Sequence, residues 1–96
     1  MKQDATMAAR MRSKLEAALS PSLLLIEDES AKHAGHAGAR EGGETHFSIR
    51  IVSASFAGLN RVQRQRKVYA AVAEELAERV HALSLVTLAP DEAGRG

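Results

Sequence analysis

The chain has 96 residues, of which 45% are hydrophobic, 26% are charged and only 3% are aromatic. Its net charge is +1 and its sequence pI is about 8.2, below the pI of ~9 that is typical of a strong nucleic-acid-binding domain. It contains no cysteine, which excludes disulfides and any thiolate metal site made by this chain alone. We expect one domain over residues 1–96, with an aliphatic core at about 7–89 and a flexible tail at 90–96.

The first half of the chain predicts a helix, a strand and a long loop. Apolar residues that include Met7, Met11 and Leu15 recur at helical spacing over residues 6–19, and Pro21 ends this helix. The apolar run 23–26 predicts a short strand, and its lack of alternation favours burial on both faces. Residues 30–44 hold four glycines and four alanines. A loop of that length is usually functional or disordered.

The second half predicts a strand, a helical stretch and a last strand. Residues 45–53 alternate, with Phe47, Ile49 and Ile51 on a buried face and Arg50 on an exposed one. Residues 60–80 predict one amphipathic helix, or two short helices with a bend. Residues 82–88 alternate again as a third strand that Pro90 ends. The apolar helix stripe is expected to contain Val62, Tyr69, Val72, Leu76 and Val80.

This order of elements predicts the α+β class. Asn60 followed by Gln63 is typical of a capping box, so the long helical stretch is expected to begin there. The helices join the second and third strands, which should therefore be parallel, whereas the first two strands should be antiparallel. The sequence thus predicts a small three-stranded mixed sheet with helices, in the order αββ(α)αβ.

Several motifs along residues 10–89 resemble those of the BolA family, in its order and approximate spacing. The resemblance implies a class II KH-like fold. One position departs from the family pattern, because Gln65 stands where the family has a histidine between two arginines. The motifs are Asp28-Glu29-Ser30, Glu44-Thr45-His46-Phe47, Phe56-x-Gly58, Arg64-x-Arg66-x-x-Tyr69, Glu74-Glu75-Leu76 and His81-Ala82-Leu83.

The resemblance also implies a metal cofactor and a partner. In the BolA family, the histidine that aligns with His81 and a His or Cys in the loop bind a [2Fe–2S] cluster shared with a monothiol glutaredoxin. The loop here offers His33, which best matches the family position, and His36, which competes because the loop is longer. The glutaredoxin cysteine and a glutathione would supply the thiolates that this chain lacks.

From the residues alone, His81 has two interpretations. It is a metal ligand, or it is a structural residue that the helix dipole favours and that points inward with Leu83 and Leu85. His33 and His36 would by themselves be ordinary loop residues. His46 lies on the polar face of its strand and is either solvated or close to the site.

A basic cluster suggests a second function, DNA binding by a transcriptional regulator. It lacks the Gly-x-x-Gly loop of KH domains and interleaved aromatic residues, so a solvated face is an equal alternative. The chain also lacks an apolar signal core and the motifs of common enzyme classes, which predicts a cytoplasmic protein that is not an enzyme. The basic residues are Arg50, Arg61, Arg64, Arg66 and Lys67.

Overall fold

The computed structural model describes residues 6–29 and 46–93. The order of its helices and strands confirms the predicted α+β class, and the helical stretch is broken once. The predicted loop at 30–44 lies outside the described residues. In chain order the elements are α1 (Met7–Leu19), β1 (Leu23–Asp28), β2 (His46–Val52), a 3-10 turn (Ala54–Phe56), α2 (Arg61–Ala71), α3 (Ala73–Glu78), β3 (Ala82–Leu88) and α4 (Pro90–Ala93).

Helix α1 has a polar cap at each end. The Thr6 hydroxyl accepts a hydrogen bond from Ala9 N at 3.0 Å and satisfies one of the free amides of the first turn. Ser20 adopts the left-handed conformation, with φ 44°, directly before Pro21 and ends the helix. Between these caps, one face of α1 is buried against the core, at Met7, Met11, Leu15 and Leu19.

The three strands form one mixed sheet in the order β1-β2-β3. As predicted, β1 and β2 are antiparallel and β2 and β3 are parallel. Ile49 lies opposite Ile26 on β1 and Leu85 on β3. Helices α2 and α3 make the crossover connection that a parallel pair requires.

The helices pack on one face of this sheet. Phe47, Ile49 and Ile51 are buried there, and Arg50 is exposed, as predicted. The expectation that the first strand is buried on both faces is wrong, because Leu25 remains 52% exposed. Alternate residues of a strand point to opposite faces, and α1, α2 and α3 cover only the face that carries Leu24 and Ile26.

The long helical stretch bends at Val72, whose φ of −113° and ψ of 26° depart from helical values. The predicted capping box is confirmed, since Gln63 N donates to Asn60 Oδ1 at 2.9 Å and Asn60 N donates to Gln63 Oε1 at 3.0 Å. The predicted stripe is only partly correct, because Val62 and Tyr69 are 54% and 39% exposed. The bend changes the helical phase, so one stripe does not continue through both helices.

Two residues shape the connection from β2 to α2. The buried Ser53 hydroxyl donates to Leu19 O at 2.6 Å and accepts from Ser55 N at 3.0 Å. Gly58 has φ 80°, a left-handed value that glycine adopts without steric cost. Between them, Phe56 is fully buried in the core. The connection therefore joins α1, the sheet and the start of α2.

The chain remains ordered beyond the predicted end of the core. Pro90–Ala93 forms a helical turn, so the expectation of a flexible tail from residue 90 onward is wrong over 90–93. Glu92 of this turn binds Arg64 of α2, which explains the order. Residues 94–96 lie outside the described part of the chain. No helix within 6–29 or 46–93 has the length and apolar character needed to cross a membrane.

Candidate functional site

His81 lies at the junction between α3 and β3, and its side chain is exposed. Arg79 N and Val80 N both donate to Glu75 O at 3.0 Å, and the Val80 side chain is buried. These contacts hold the backbone directly before His81 while leaving the imidazole accessible. The interpretation of His81 as an inward-pointing structural residue is therefore wrong.

Residues 30–45, which include His33 and His36, connect to the sheet at the same end as His81. Glu29 N donates to His46 O at 2.7 Å, so the two ends of the 30–45 segment meet there. His46 is half-buried and lies opposite Ala82, the residue that follows His81. The fold therefore brings His46 and His81 to one end of the sheet, where the chain leaves β1 and returns to β2.

Chain length allows both loop histidines to reach this end. His33 is four residues beyond Glu29 and His36 is seven beyond it (33 − 29 and 36 − 29). At ~3.5 Å per residue they reach up to ~14 Å and ~25 Å, whereas β1 and β3 are about two strand spacings, ~10 Å, apart. Both residues lie outside the described part of the chain, and the choice between them stays a prediction.

The donor chemistry at this end fits one half of a shared iron site. Imidazole is a suitable ligand for iron, and two histidines can replace two cysteines on one iron of a [2Fe–2S] cluster. The chain has no cysteine to supply the other half. Within residues 6–29 and 46–93, no three His, Asp or Glu side chains are grouped to hold a metal ion. Any complete site would need the 30–45 segment, a partner, or both.

A buried carboxylate holds α3, and with it the turn before His81, against α1. The Glu75 side chain is fully buried, and its Oε2 accepts from Arg10 Nε at 3.0 Å and Lys14 Nζ at 2.8 Å. Burial alone would raise the pKa of Glu75, but hydrogen bonds and charge from Lys14, together with Arg10, lower it below its ordinary value. Glu75 Oε1 is buried and has no hydrogen-bond partner among the described residues. We call Glu75, Arg10 and Lys14 the buried clamp.

The predicted basic cluster is divided by the fold. Arg61, Arg66 and Lys67 are exposed on α2, but Arg64 is turned into the structure. Its guanidinium donates to Leu59 O at 2.9 Å, Thr87 O at 3.0 Å and Glu92 Oε1 at 2.6 Å. The hydrogen bonds that it donates to Glu92 raise the pKa of Arg64 above its usual range.

Arg50 is separated from the other basic residues. It is exposed in β2, between Leu25 of β1 and Val86 of β3. These residues lie on the sheet face opposite to the helices, because they alternate with the buried Ile49 and Ile51. Three exposed cations on α2 therefore remain as a candidate phosphate-binding surface, without Arg50 and with Arg64 already paired.

Comparison with known proteins decides the family. A family model described as BolA-like protein matches residues 15–92, most of the chain. The chain belongs to the BolA family. Among curated BolA relatives, "Protein BOLA1, chloroplastic" from Arabidopsis thaliana is 52% identical over 87 residues, covering 88% of this chain and 54% of that protein. "DNA-binding transcriptional regulator BolA" from Escherichia coli (strain K12) is 42% identical over 78 residues, covering 81% of this chain and 70% of that protein.

Solved BolA structures share the fold. BolA1 from Arabidopsis thaliana superposes with a TM-score of 0.79 at 48% identity, covering 96% of this chain and 97% of that one. The agreement confirms the BolA resemblance and the three-stranded mixed sheet with its helices. The chain spans about half the length of the Arabidopsis and human BolA relatives that it matches.

The sequence of this BolA protein did not lead us to predict two features, the buried clamp and the ion pair between Arg64 and Glu92. Glu75 follows Val68 and Val72 at a spacing of seven and three residues, so its position on the buried face had a periodic signal. Arg64 and Glu92 are 28 positions apart in the chain, so their pairing leaves no local pattern.

Proposed function

We propose that this BolA-family protein is an adaptor that pairs with a monothiol glutaredoxin and shares a [2Fe–2S] cluster with it. In this proposal His81 and one loop histidine, His33 or His36, hold one side of the cluster. A glutaredoxin cysteine and glutathione supply the thiolates. The shared cluster would serve iron–sulfur cluster assembly or transfer, or iron sensing.

The observation that carries the proposal is the exposed imidazole of His81 at the end of the sheet where Glu29 and His46 close the 30–45 segment. An accessible histidine on a fixed backbone can reach a metal held by another protein. A second histidine tethered within chain reach can complete the pair. Since the chain has no cysteine, we expect no [2Fe–2S] cluster to assemble on it alone.

The test is co-expression with a monothiol glutaredoxin, followed by visible absorption and circular dichroism of the purified complex. His81→Ala should abolish the spectrum of the mixed-ligand cluster while the far-ultraviolet spectrum of the fold is unchanged. We expect only one of His33→Ala and His36→Ala to abolish the mixed-ligand spectrum as His81→Ala does. The other variant then serves as the matched control for a substitution in the same segment. If all three variants give the parent spectrum, the proposed ligands are wrong.

The same complex should depend on pH. Imidazole binds iron only in its neutral form, so the shared site should weaken as the pH is lowered. The measurement is the visible spectrum of the complex along a pH titration, compared with that of the glutaredoxin cluster alone. An identical pH profile for the two would argue against histidine ligation.

A second candidate function is DNA binding, as in the name of the Escherichia coli relative. What favours it is α2, which carries Arg61, Arg66 and Lys67 exposed and no acidic residue. With so few cations, we expect non-specific binding no tighter than ~10 μM at physiological salt, and a steep loss with added salt. Arg61→Ala with Lys67→Ala should weaken all sequences alike, whereas absence of binding at low salt would exclude this function.

The proposal includes no catalytic activity, and it keeps the cytoplasmic location expected from the sequence. The Escherichia coli relative is named as a regulator, which agrees with a binding protein. The Arabidopsis relative is named as chloroplastic, so the compartment differs among relatives. Fractionation of cells that express the untagged protein would test the cytoplasmic location, and recovery in an organelle would contradict it.

A further inference from the structure

The outer edge of β3 carries backbone groups with no strand beside them. Ser53 N donates to Leu88 O at 3.0 Å, which shows that Leu88 bonds toward β2. The groups of successive strand residues point to alternate edges, so Leu83, Leu85 and Thr87 direct their N–H and C=O groups outward. Arg64 Nη1 donates to Thr87 O from that side, at 3.0 Å, which agrees with this assignment. Within residues 6–29 and 46–93, no strand pairs with this edge.

The sequence of β3 lacks two of the usual protections against strand pairing. β3 reads ALSLVTL and contains no charge and no proline, the residues with which natural proteins block exposed edges. Only one outward group, Thr87 O, is covered by a described side chain. With respect to residues 6–29 and 46–93, Leu83 and Leu85 leave both their N–H and C=O groups available, and Thr87 leaves its N–H.

A groove of about 610 Å³ runs along the C-terminal half of this edge. Its apolar lining includes Leu59, Val86 and Leu88, and Arg61 of α2 lies on its rim. The groove already holds one carboxylate, since Glu92 accepts from Arg64 at 2.6 Å and from Ala89 N at 2.8 Å. Arg61 forms no ion pair with any residue that the structure describes, so it is available to a second carboxylate.

We propose that β3 binds an extended acidic segment of a partner protein, which adds to the sheet as a fourth strand. One side of the added strand would place carboxylates toward Arg61, and the other side would place apolar residues beside Val86. Main-chain hydrogen bonds give affinity in this mode of recognition, and the alternating side chains give specificity. The inference does not depend on cluster sharing, because His81 precedes β3 and the groove lies at its other end.

Charge favours an acidic partner over a second copy of this chain. A two-fold pair through β3 would extend the sheet and set the two α2 helices side by side on one face. Each α2 carries three exposed cations, Arg61, Arg66 and Lys67, and no acid, so the helices would repel each other. An acidic segment instead meets cations of opposite sign.

The test uses a synthetic, end-blocked peptide matched to the seven residues of β3, in which Glu alternates with Val and Thr. Two further peptides carry N-methyl groups, one on every Glu and the other on every Val and Thr. In an extended strand the amides of the Glu residues point to one edge and those of the Val and Thr residues to the other. Strand addition therefore predicts that one methylated peptide loses binding and the other retains it. Equal affinities for the two methylated peptides would overturn the proposal.

Amide hydrogen exchange locates the contact. The amides of Leu83, Leu85 and Thr87 should become protected when the acidic peptide is added. Protection elsewhere, or no binding at millimolar peptide, would refute strand addition at β3. If these amides become protected without peptide as the protein concentration rises, and the protein has the mass of a dimer, then a second copy of this chain binds the edge. That result would overturn the proposal of an acidic partner.

Arg61→Glu and Arg66→Glu form a matched pair of variants. Both arginines are exposed on α2, but only Arg61 lines the groove. At ~0.15 M salt, where charges act over ~8 Å, we expect Arg61→Glu to weaken peptide binding at least about fivefold. Arg66→Glu should change it less than about twofold. Equal effects would show that the peptide senses only the net charge of the protein.

Discussion

Replacing Glu75 by glutamine removes the charge of the buried clamp while keeping the size of the side chain. Hydrogen bonds to charged groups contribute about 1.5–3 kcal/mol, against about 1 kcal/mol for neutral ones, and breaking a buried ion pair costs about 3–5 kcal/mol. The loss should fall below that range because Arg10 keeps Glu78 and Lys14 keeps Glu74 as partners. We therefore expect the free energy of unfolding at pH 7 to fall by about 2 kcal/mol, or the melting temperature by roughly 10 °C.

The effect of Glu75→Gln should depend on pH in a defined direction. The pKa of Glu75 is lower in the folded protein than its ordinary value of ~4.3. A depressed carboxyl pKa stabilises the fold above the unfolded value, and this contribution is lost as pH falls through the folded pKa. The difference in unfolding free energy between parent and variant should thus be complete at neutral pH and shrink below about pH 4.3. Urea denaturation followed by circular dichroism at several pH values measures it.

Glu74→Gln is the matched control for this experiment. It makes the same chemical change one residue earlier, but the Glu74 side chain is 76% exposed and, among the residues that the structure describes, pairs only with Lys14. Its unfolding free energy should stay within about 0.5 kcal/mol of the parent. If the two variants were equally stable, or if the effect of Glu75→Gln grew on acidification, the buried charge would not be what holds α3 against α1.

Three further substitutions test other parts of the fold by urea denaturation at pH 7. Arg64→Ala should cost about 2–3 kcal/mol, because it removes the guanidinium that donates to Leu59 O, Thr87 O and Glu92. Arg66→Ala should change little, and equal losses would contradict the role of Arg64. Ser53→Ala should cost about 1–2 kcal/mol through the lost donation to Leu19 O, whereas the exposed Ser55→Ala should be nearly neutral. Gly58→Ala should cost about 1 kcal/mol from the left-handed φ alone, since an added Cβ meets no atom within 4 Å, and unchanged stability would show that the turn relaxes.

Local patterns predicted most of the fold. Asn60 and Gln63 marked the start of α2, and the alternation of Phe47, Ile49 and Ile51 identified the strand and its buried face. These predictions hold because each depends on neighbours that the sequence places a fixed number of residues apart. The strand directions followed as well, since the helices between β2 and β3 supply the long crossover connection that a parallel pair needs.

Features that depend on tertiary packing were less predictable. The apolar run of β1 cannot show which sheet face the helices cover, so the exposure of Leu25 became visible only in the structure. Helix α2 buries the side that carries Val68 and leaves Val62 and Tyr69 exposed, which spacing alone did not distinguish. At the candidate site, His81 was identified through the family motif, but its exposure depends on how Val80 is anchored.

Arg64 illustrates why a charge cluster in a sequence is not yet a binding surface. The sequence grouped it with Arg61, Arg66 and Lys67 because they are neighbours on one helix. Its actual partner, Glu92, lies in the turn after β3. A loss of DNA binding in an Arg64 variant could therefore reflect either the lost charge or the lost stability. Variants of Arg61, Arg66 and Lys67 separate these two causes, because these residues are exposed.

The hydrogen bond from Glu29 N to His46 O makes the framework tolerant of changes in the chain between these residues. The entropy of closing a loop grows only with the logarithm of its length, so doubling the number of residues costs about 0.6 kcal/mol. This is less than the loss expected from one substitution in the buried clamp. Mutation can lengthen or shorten the chain between Glu29 and His46 at little cost in loop-closure entropy. The length of this connection and the packing of the described core can then evolve, or be engineered, as separate properties of the protein.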